Sequence, residues 1–134
     1  LTLSAVAGRK YIMDMMHGGG VVFGGTFNGN PLSLAAAKAT LEVLSDPAHL
    51  ERANRLGRSL MDGIGEIAVR RGLALQVHGF GAAFALHMED RAAYLMRMLE
   101  RGIYLLPDGR MYLSTAHTEA DVAQTLEAVD SSLA

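Results

Sequence analysis

In the middle of the chain, apolar side chains recur every three or four residues, which aligns them along one face of a helix. The residues with this spacing are Leu50, Ala53, Leu56, Leu60, Ile64 and Ile67. Asp46 and Pro47 are a suitable cap and first helical residue, and Gly72 follows two arginines that favour a helix C-terminus. The pattern therefore predicts a long amphipathic helix over residues 47–71.

After residue 72 the helical period gives way to short apolar runs typical of β-strands. We predict strands over residues 73–77, 82–88, 103–106 and 110–114. A helix is predicted from Glu89 to Gly102, between the second and third strands. Thr118 and Asp121 resemble a capping box, with Asp in place of Glu or Gln, at the start of a final helix. This ββαββα order is typical of a small α+β domain, with helices on one face of an antiparallel or mixed sheet.

The first 45 residues carry shorter patterns. Residues 9–16 predict a short helix with its apolar side chains on one side. Asn30 and Pro31 are a suitable cap and first residue for a second helix that runs to Leu44 and is rich in Ala and Leu. Residues 1–30 do not close as a unit by themselves, and we expect the long helix to join the two parts of the chain.

Composition narrows the class of protein. Half of the 134 residues are hydrophobic and 19% are charged, which is typical of a soluble globular protein with a core. The absence of cysteine excludes disulfides, thiolate nucleophiles and cysteine-ligated zinc. A net charge of −2 without a basic patch argues against nucleic acid and anionic membranes as partners. No apolar run approaches the roughly 18 residues that a membrane span needs.

The histidines suggest two kinds of chemistry, and neither is well supported. Residues 17–20 read HGGG, as in the oxyanion hole of esterases, but no serine lies in the Gly-x-Ser-x-Gly elbow that this chemistry needs. No HxxH or HExxH spacing occurs, so we predict no metal site, and we interpret His87 and Glu89 as a solvated strand end. His117 precedes the last helix, where a functional role and a simple capped turn both remain open.

The stretch GGTFNGNP, residues 24–31, crowds glycines around Thr26 directly before a predicted helix. Free amides and the positive end of the helix dipole would bind an anion there, phosphate above all, and Thr26 would add a hydroxyl donor. The spacing fits neither GxGxxG nor the Walker motif, so a nucleotide is not implied. From the residues alone, an anion-binding loop and a plain loop with a good helix start both remain open.

The order of residues goes further than these physical signals. GGTFNGNPLSLAAAKATLEVL resembles the segment that follows the cofactor lysine in class III (fold type I) pyridoxal-phosphate aminotransferases. Other stretches agree with the subgroup around glutamate-1-semialdehyde 2,1-aminomutase, namely AVAGRKYIMDMM, VHGFGAAFALHM and LERGIYLLPDGRMYLSTAHTEADVAQTLEAV. The resemblance covers essentially the whole chain.

This resemblance implies a domain organisation and a set of binding residues. Residues 1–45 would be the C-terminal remnant of the large cofactor-binding domain, and residues 46–134 the C-terminal small domain with its linking helix. Gly25 and Thr26 would contact the phosphate of pyridoxal phosphate bound in the other subunit of a cytoplasmic homodimer. Arg110 would hold the substrate carboxylate, for which a bidentate arginine is suited, although its loop is shorter than in true aminomutases.

The resemblance also implies what this chain lacks. The lysine that forms a Schiff base with the cofactor would lie upstream of Leu1, and neither Lys10 nor Lys38 has an apolar setting that would suit them for this role. We therefore expect no catalytic residue here and no activity from this C-terminal fragment alone. The intact parent would transfer amino groups between an amino acid or amino ketone and a keto acid or aldehyde. The alternative is a non-catalytic module that binds an anion or a partner through GGTFNGNP.

Overall fold

The computed structural model describes residues 3–18, 20–22 and 24–133. In this part of the chain it contains five helices and three strands. The chain divides into two compact units, Leu1–Asp46 and Pro47–Ala134. Each unit is described here by itself.

The first unit contains two helices, α1 (Lys10–His17) and α2 (Pro31–Leu44). Both lie where the sequence predicts them, within about a residue at each end. The Asn30 side chain caps α2 and Pro31 is its first residue, as the sequence predicts. Neither helix has a buried residue. The described part of this unit therefore forms no core of its own.

The second unit is an α+β domain, which confirms the predicted fold class. Its elements are α3 (Pro47–Arg71), β1 (Gln76–Phe80), β2 (Ala83–His87), α4 (Arg91–Glu100), β3 (Arg110–Tyr112) and α5 (Glu119–Ser132). The strands form an antiparallel sheet in the order β1-β2-β3. The predicted long helix thus spans residues 47–71, and β2 lies within the predicted strand 82–88.

The core lies between one face of this sheet and the helices. In β2 and β3 the side chains of Phe84, Leu86 and Met111 are buried, whereas Ala83 and Tyr112 are exposed on the other face. The helical stripe predicted for α3 supplies most of the opposing surface, through Ala53, Leu56, Leu60, Ile64 and Ile67. Burial of each large aliphatic side chain contributes about 1.5–3 kcal/mol. This core fixes which face of the sheet is exposed.

One predicted strand does not form. Residues 103–106 lie outside any helix or strand, so the order of this domain is ββαβα and the prediction of a fourth strand was wrong. The backbone N–H of Ile103 bonds to the carbonyl of Met98, and Gly102 takes a φ of 78°, which ties the start of this segment to the end of α4. Leu105 is buried without strand pairing. An apolar run is buried equally well as coil, and its pattern does not distinguish the two.

Several boundaries also differ from prediction. The first strand spans Gln76–Phe80 rather than residues 73–77, and the last strand ends at Tyr112 rather than at residue 114. The turn of the first hairpin lies at residues 81–82, because β1 continues through Gly79 to Phe80. Helix α4 begins at Arg91, two residues later than predicted, because Asp90 takes the left-handed conformation with a φ of 49°. Among the described residues, no helix is both long enough and apolar enough to span a membrane.

Candidate functional site

The loop before α2 consists of two consecutive turns. The backbone N–H of Asn28 donates to the Gly25 carbonyl over 3.0 Å, and the backbone N–H of Asn30 donates to the Phe27 carbonyl over 3.1 Å. Thr26 and Phe27 therefore form the exposed corner of the first turn, whose own hydrogen bond does not use their amides. Within the described residues, no hydrogen bond engages the Thr26 hydroxyl.

The N-terminus of α2 is already satisfied by its own cap. The Asn30 Oδ1 atom accepts hydrogen bonds of 3.1 Å from the amides of Leu32 and Ser33. Pro31 has no N–H, and the amide of Leu34 bonds to the Asn30 carbonyl. The expectation that the first turn of this helix presents free amides was therefore wrong. The donors that the described hydrogen bonds of this loop leave unused are the Thr26 hydroxyl and the backbone N–H groups of Thr26 and Phe27.

The glycine at position 25 leaves room for the side chain of Asn28. A Cβ atom at Gly25 would lie 3.0 Å from Oδ1 of Asn28, tighter than an ordinary contact, whereas one at Gly24 would meet nothing within 4 Å. The absence of a side chain lets Asn28 fold against the loop and leaves the backbone beside Thr26 accessible. An exposed hydroxyl next to bare backbone has donor chemistry that fits a phosphate group.

In the second unit, Arg110 on β3 is held by its neighbours. Its Nε donates to Oδ2 of Asp108 over 2.6 Å, and its Nη1 donates to the hydroxyl of Tyr112 over 3.3 Å. The backbone N–H of Arg110 also donates to Oδ1 of Asp108. This backbone hydrogen bond, together with the guanidinium, lowers the pKa of the Asp108 carboxyl, and the hydrogen bond from Nε raises the pKa of Arg110. The pair is half-exposed and fully charged at neutral pH.

His117 takes part in the turn that follows β3. The backbone N–H of Ser114 donates to Nδ1 of His117 over 3.0 Å, so this network assigns the hydrogen of the neutral imidazole to Nε2. The next residue begins the predicted capping box, in which Thr118 and Asp121 exchange hydrogen bonds between side chain and backbone. The capping box is confirmed. Of the two roles left open for His117, these contacts show the capped turn.

A groove of about 300 Å³ runs between residues 103–106, β3 and the start of α5. Its walls include Arg110, Tyr112 and His117, with apolar side chains between them. This volume is at the lower end of the range for small-molecule sites. The sequence singled out Arg110 and His117 but missed Tyr112, which also lines the groove, and Asp108, which bonds to Arg110. The turn sequence PDGR carried a signal, because an Asp in a turn often bonds a backbone amide two residues on.

The two lysines lie on exposed helix faces. Lys10 pairs with Asp14 over 2.7 Å, and Lys38 pairs with Glu42. Their side chains are 87% and 75% exposed, so neither lies in an apolar setting. Among the described residues, no group of three or more His, Asp or Glu side chains could hold a metal ion.

Comparison with known proteins identifies the family. Residues 1–133 match the sequence profile described as aminotransferase class-III. The chain belongs to this family. A glutamate-1-semialdehyde 2,1-aminomutase of Archaeoglobus fulgidus is 33% identical over 151 residues, which covers 99% of this chain and 36% of the relative. An aminomutase of the same name from Anaeromyxobacter sp. is also 33% identical, over 100% of this chain and 35% of the relative.

Three solved structures share this fold. An omega-transaminase from Sphaerobacter thermophilus superposes with a TM-score of 0.82 at 26% identity, over 94% of this chain and 34% of that chain. The FumI protein of Sphingopyxis sp. MTA144, whose structure contains pyridoxal phosphate, superposes with a TM-score of 0.79 at 29% identity, over 94% of this chain and 31% of that chain. An ornithine aminotransferase from Toxoplasma gondii, with partial occupancy of pyridoxal phosphate, superposes with a TM-score of 0.77 at 27% identity, over 94% of this chain and 31% of that chain.

These comparisons confirm the predicted family and support pyridoxal phosphate as its cofactor. The chain spans about a third of the length of the curated relatives it matches. The role of Gly25, Thr26 and Arg110, and the assignment of the two units to large and small domains, stay predictions.

Proposed function

We propose that this chain is the C-terminal part of a pyridoxal-phosphate-dependent aminotransferase or aminomutase of the glutamate-1-semialdehyde type. The observation that carries the proposal is the match of residues 1–133 to the family profile, together with aminomutase relatives aligned over 99–100% of the chain. The intact parent transfers amino groups between an amino acid or amino ketone and a keto acid or aldehyde. When bound, the cofactor supplies an electron sink that stabilises negative charge at the carbon bearing the nitrogen.

The turn at residues 25–28 is the proposed phosphate contact. Thr26 donates its hydroxyl to a phosphate oxygen, and the glycine at position 25 keeps the backbone at the turn clear of side chains. Two features support this role, namely the exposed position of Thr26 and the lack of a hydrogen-bond partner for its hydroxyl within the described residues. In the proposed homodimer this contact reaches the cofactor of the partner subunit.

Arg110 is the proposed contact for the carboxylate of the amino donor or acceptor. A planar guanidinium presents pairs of parallel N–H groups that match a carboxylate, which orients the substrate as well as binding it. The exposed guanidinium beside a groove of about 300 Å³ supports this role.

The proposal assigns residues 1–45 to the large domain and residues 46–134 to the small domain of a cytoplasmic homodimer. Large apolar side chains exposed on the first unit support burial against other parts of the parent or a second subunit; Val6, Tyr11, Val22, Phe27, Leu32 and Leu41 are each more than 60% exposed. By itself the 134-residue chain is proposed to be inactive, because both of its lysines are solvent-exposed and ion-paired.

The test is to express the longer reading frame that contains this chain. The purified product should bind pyridoxal phosphate, show its visible absorbance, and transfer amino groups from a panel of amino donors. A longer product that binds no pyridoxal phosphate would refute the proposal and favour the second candidate, a non-catalytic module that binds an anion or a partner through GGTFNGNP. Borohydride trapping of pyridoxal phosphate on the 134-residue chain, lost in Lys10 or Lys38 variants, would contradict its proposed inactivity.

A further inference from the structure

The guanidinium of Arg110 has two edges at which a carboxylate can make paired hydrogen bonds. One edge is formed by Nε and Nη2, and the other by Nη1 and Nη2. Asp108 occupies Nε at 2.6 Å, which closes the first edge. Tyr112 accepts from Nη1 at 3.3 Å, a longer and weaker contact, and Nη1 has a second hydrogen.

The carboxylate of Asp108 is therefore in the position that a ligand carboxylate would take. It also lies only two residues from Arg110 in the chain, so its effective concentration at the guanidinium is high. An incoming carboxylate must either displace Asp108 or bind end-on to a guanidinium whose charge Asp108 already partly neutralises. Both routes weaken its binding compared with an unpaired arginine.

We infer that Asp108 is a specificity-determining residue of the arginine site, because its carboxylate competes with a substrate carboxylate for Arg110. The inference rests on the proposed substrate role of Arg110. The consequence is substrate selectivity. Asp108 lowers the affinity for substrates that carry a carboxylate at this position. When a substrate without a carboxylate binds, Asp108 keeps the guanidinium of Arg110 paired instead of leaving an isolated charge.

The competing role of Asp108 can be separated from its role in the turn. Its Oδ1 accepts the backbone N–H of Arg110 over 3.1 Å, and an asparagine oxygen can accept the same bond. Asp108→Asn therefore keeps the turn and removes the charge, whereas Asp108→Glu keeps the charge. A change caused by damage to the turn would appear in both variants, and a change caused by released competition only in Asp108→Asn.

The first test uses the 134-residue chain labelled with nitrogen-15, with the Nε–H signal of Arg110 followed by NMR during titration with glutarate. We expect the apparent dissociation constant to fall about two- to fivefold in Asp108→Asn, the size expected for an exposed ion pair. Asp108→Glu should give the wild-type constant. Asp130→Asn is the matched control, because it makes the same change in net charge while breaking a pair with Arg70 and Arg71 instead. Equal or weaker glutarate binding in Asp108→Asn would overturn the inference.

The second test uses the intact parent. In Asp108→Asn the ratio of the KM for a carboxylate-bearing substrate to the KM for a carboxylate-free amine should fall by a similar factor, and an unchanged or increased ratio would contradict the inference. An Arg110→Met variant tests the proposed function separately. If that variant leaves the KM for carboxylate substrates unchanged, the substrate role of Arg110 fails, whereas the glutarate titration still decides whether Asp108 competes for the guanidinium.

Discussion

The side-chain oxygen of Asn54 accepts the backbone N–H of Ala82 over 3.0 Å, which ties helix α3 to the turn between β1 and β2. This partly buried hydrogen bond holds the hairpin turn against the helix. A Cβ atom on Gly57, one turn further along α3, would lie 2.1 Å from the Gly81 carbonyl oxygen.

Removing this tie should destabilise the domain. In Asn54→Ala the amide of Ala82 loses its partner, so the free energy of unfolding should fall by about 1–3 kcal/mol. Urea unfolding followed by circular dichroism measures the change. Arg55→Ala, at an exposed position on the same helix, is the control and should change stability by less than about 0.5 kcal/mol. An equal loss in both variants would show that the tie contributes nothing specific.

Two glycines on α3 should respond in opposite ways to alanine. Gly57→Ala forces a methyl group into the Gly81 backbone and should cost about 1–3 kcal/mol or more. A Cβ on Gly65 meets nothing within 4 Å, so Gly65→Ala should gain up to about 1 kcal/mol through helix propensity. Thermal unfolding of the two variants checks both signs, and a stabilised Gly57→Ala would contradict the close approach.

The domain should lose stability in acid through its ion-paired aspartates. Hydrogen bonds from Arg71 and then Arg70 lower the pKa of the Asp130 carboxyl below its ordinary value of 3.8. A lowered pKa in the folded state means that this stabilisation is fully present above about pH 4 and is lost as the pH falls through the folded pKa. Asp130→Asn should therefore unfold at lower urea than wild type at pH 6, with the difference shrinking toward pH 2. A difference that is constant across this range would rule out the linkage.

The Thr26 hydroxyl should matter for cofactor affinity in the intact parent. Thr26→Ala removes a donor to a charged phosphate, so the dissociation constant of pyridoxal phosphate should rise about tenfold or more. Thr26→Ser keeps the hydroxyl and should stay near wild type. Absorbance titration of the apoenzyme measures both constants, with Thr40→Ala on the exposed face of α2 as the control. If Thr26→Ala binds as tightly as wild type, the phosphate contact lies elsewhere.

Local signals made much of this molecule predictable. Asn30 with Pro31, and Thr118 with Asp121, act on amides only two or three residues away, so the sequence determines both helix starts without reference to the rest of the fold. The apolar stripe of α3 likewise depends on spacing alone. The resemblance of GGTFNGNP to a known family supplied the functional reading that these signals could not.

Tertiary structure decided the rest. Either the contacting residues are distant in the chain, or the same apolar pattern fits both a strand and a coil. In residues 103–106 only Leu105 is buried, and it is buried without strand pairing in a segment whose start is attached to the end of α4. Only the approach of the hairpin turn distinguishes Gly57, which must be glycine, from Gly65, which need not be. The pairing of β3 with β2 places Arg110 and Tyr112 on the exposed face, where the Asp108 turn closes one edge of the guanidinium. The sequence therefore determined the helices and the candidate residues, and long-range packing decided which of their atoms remain available to a ligand.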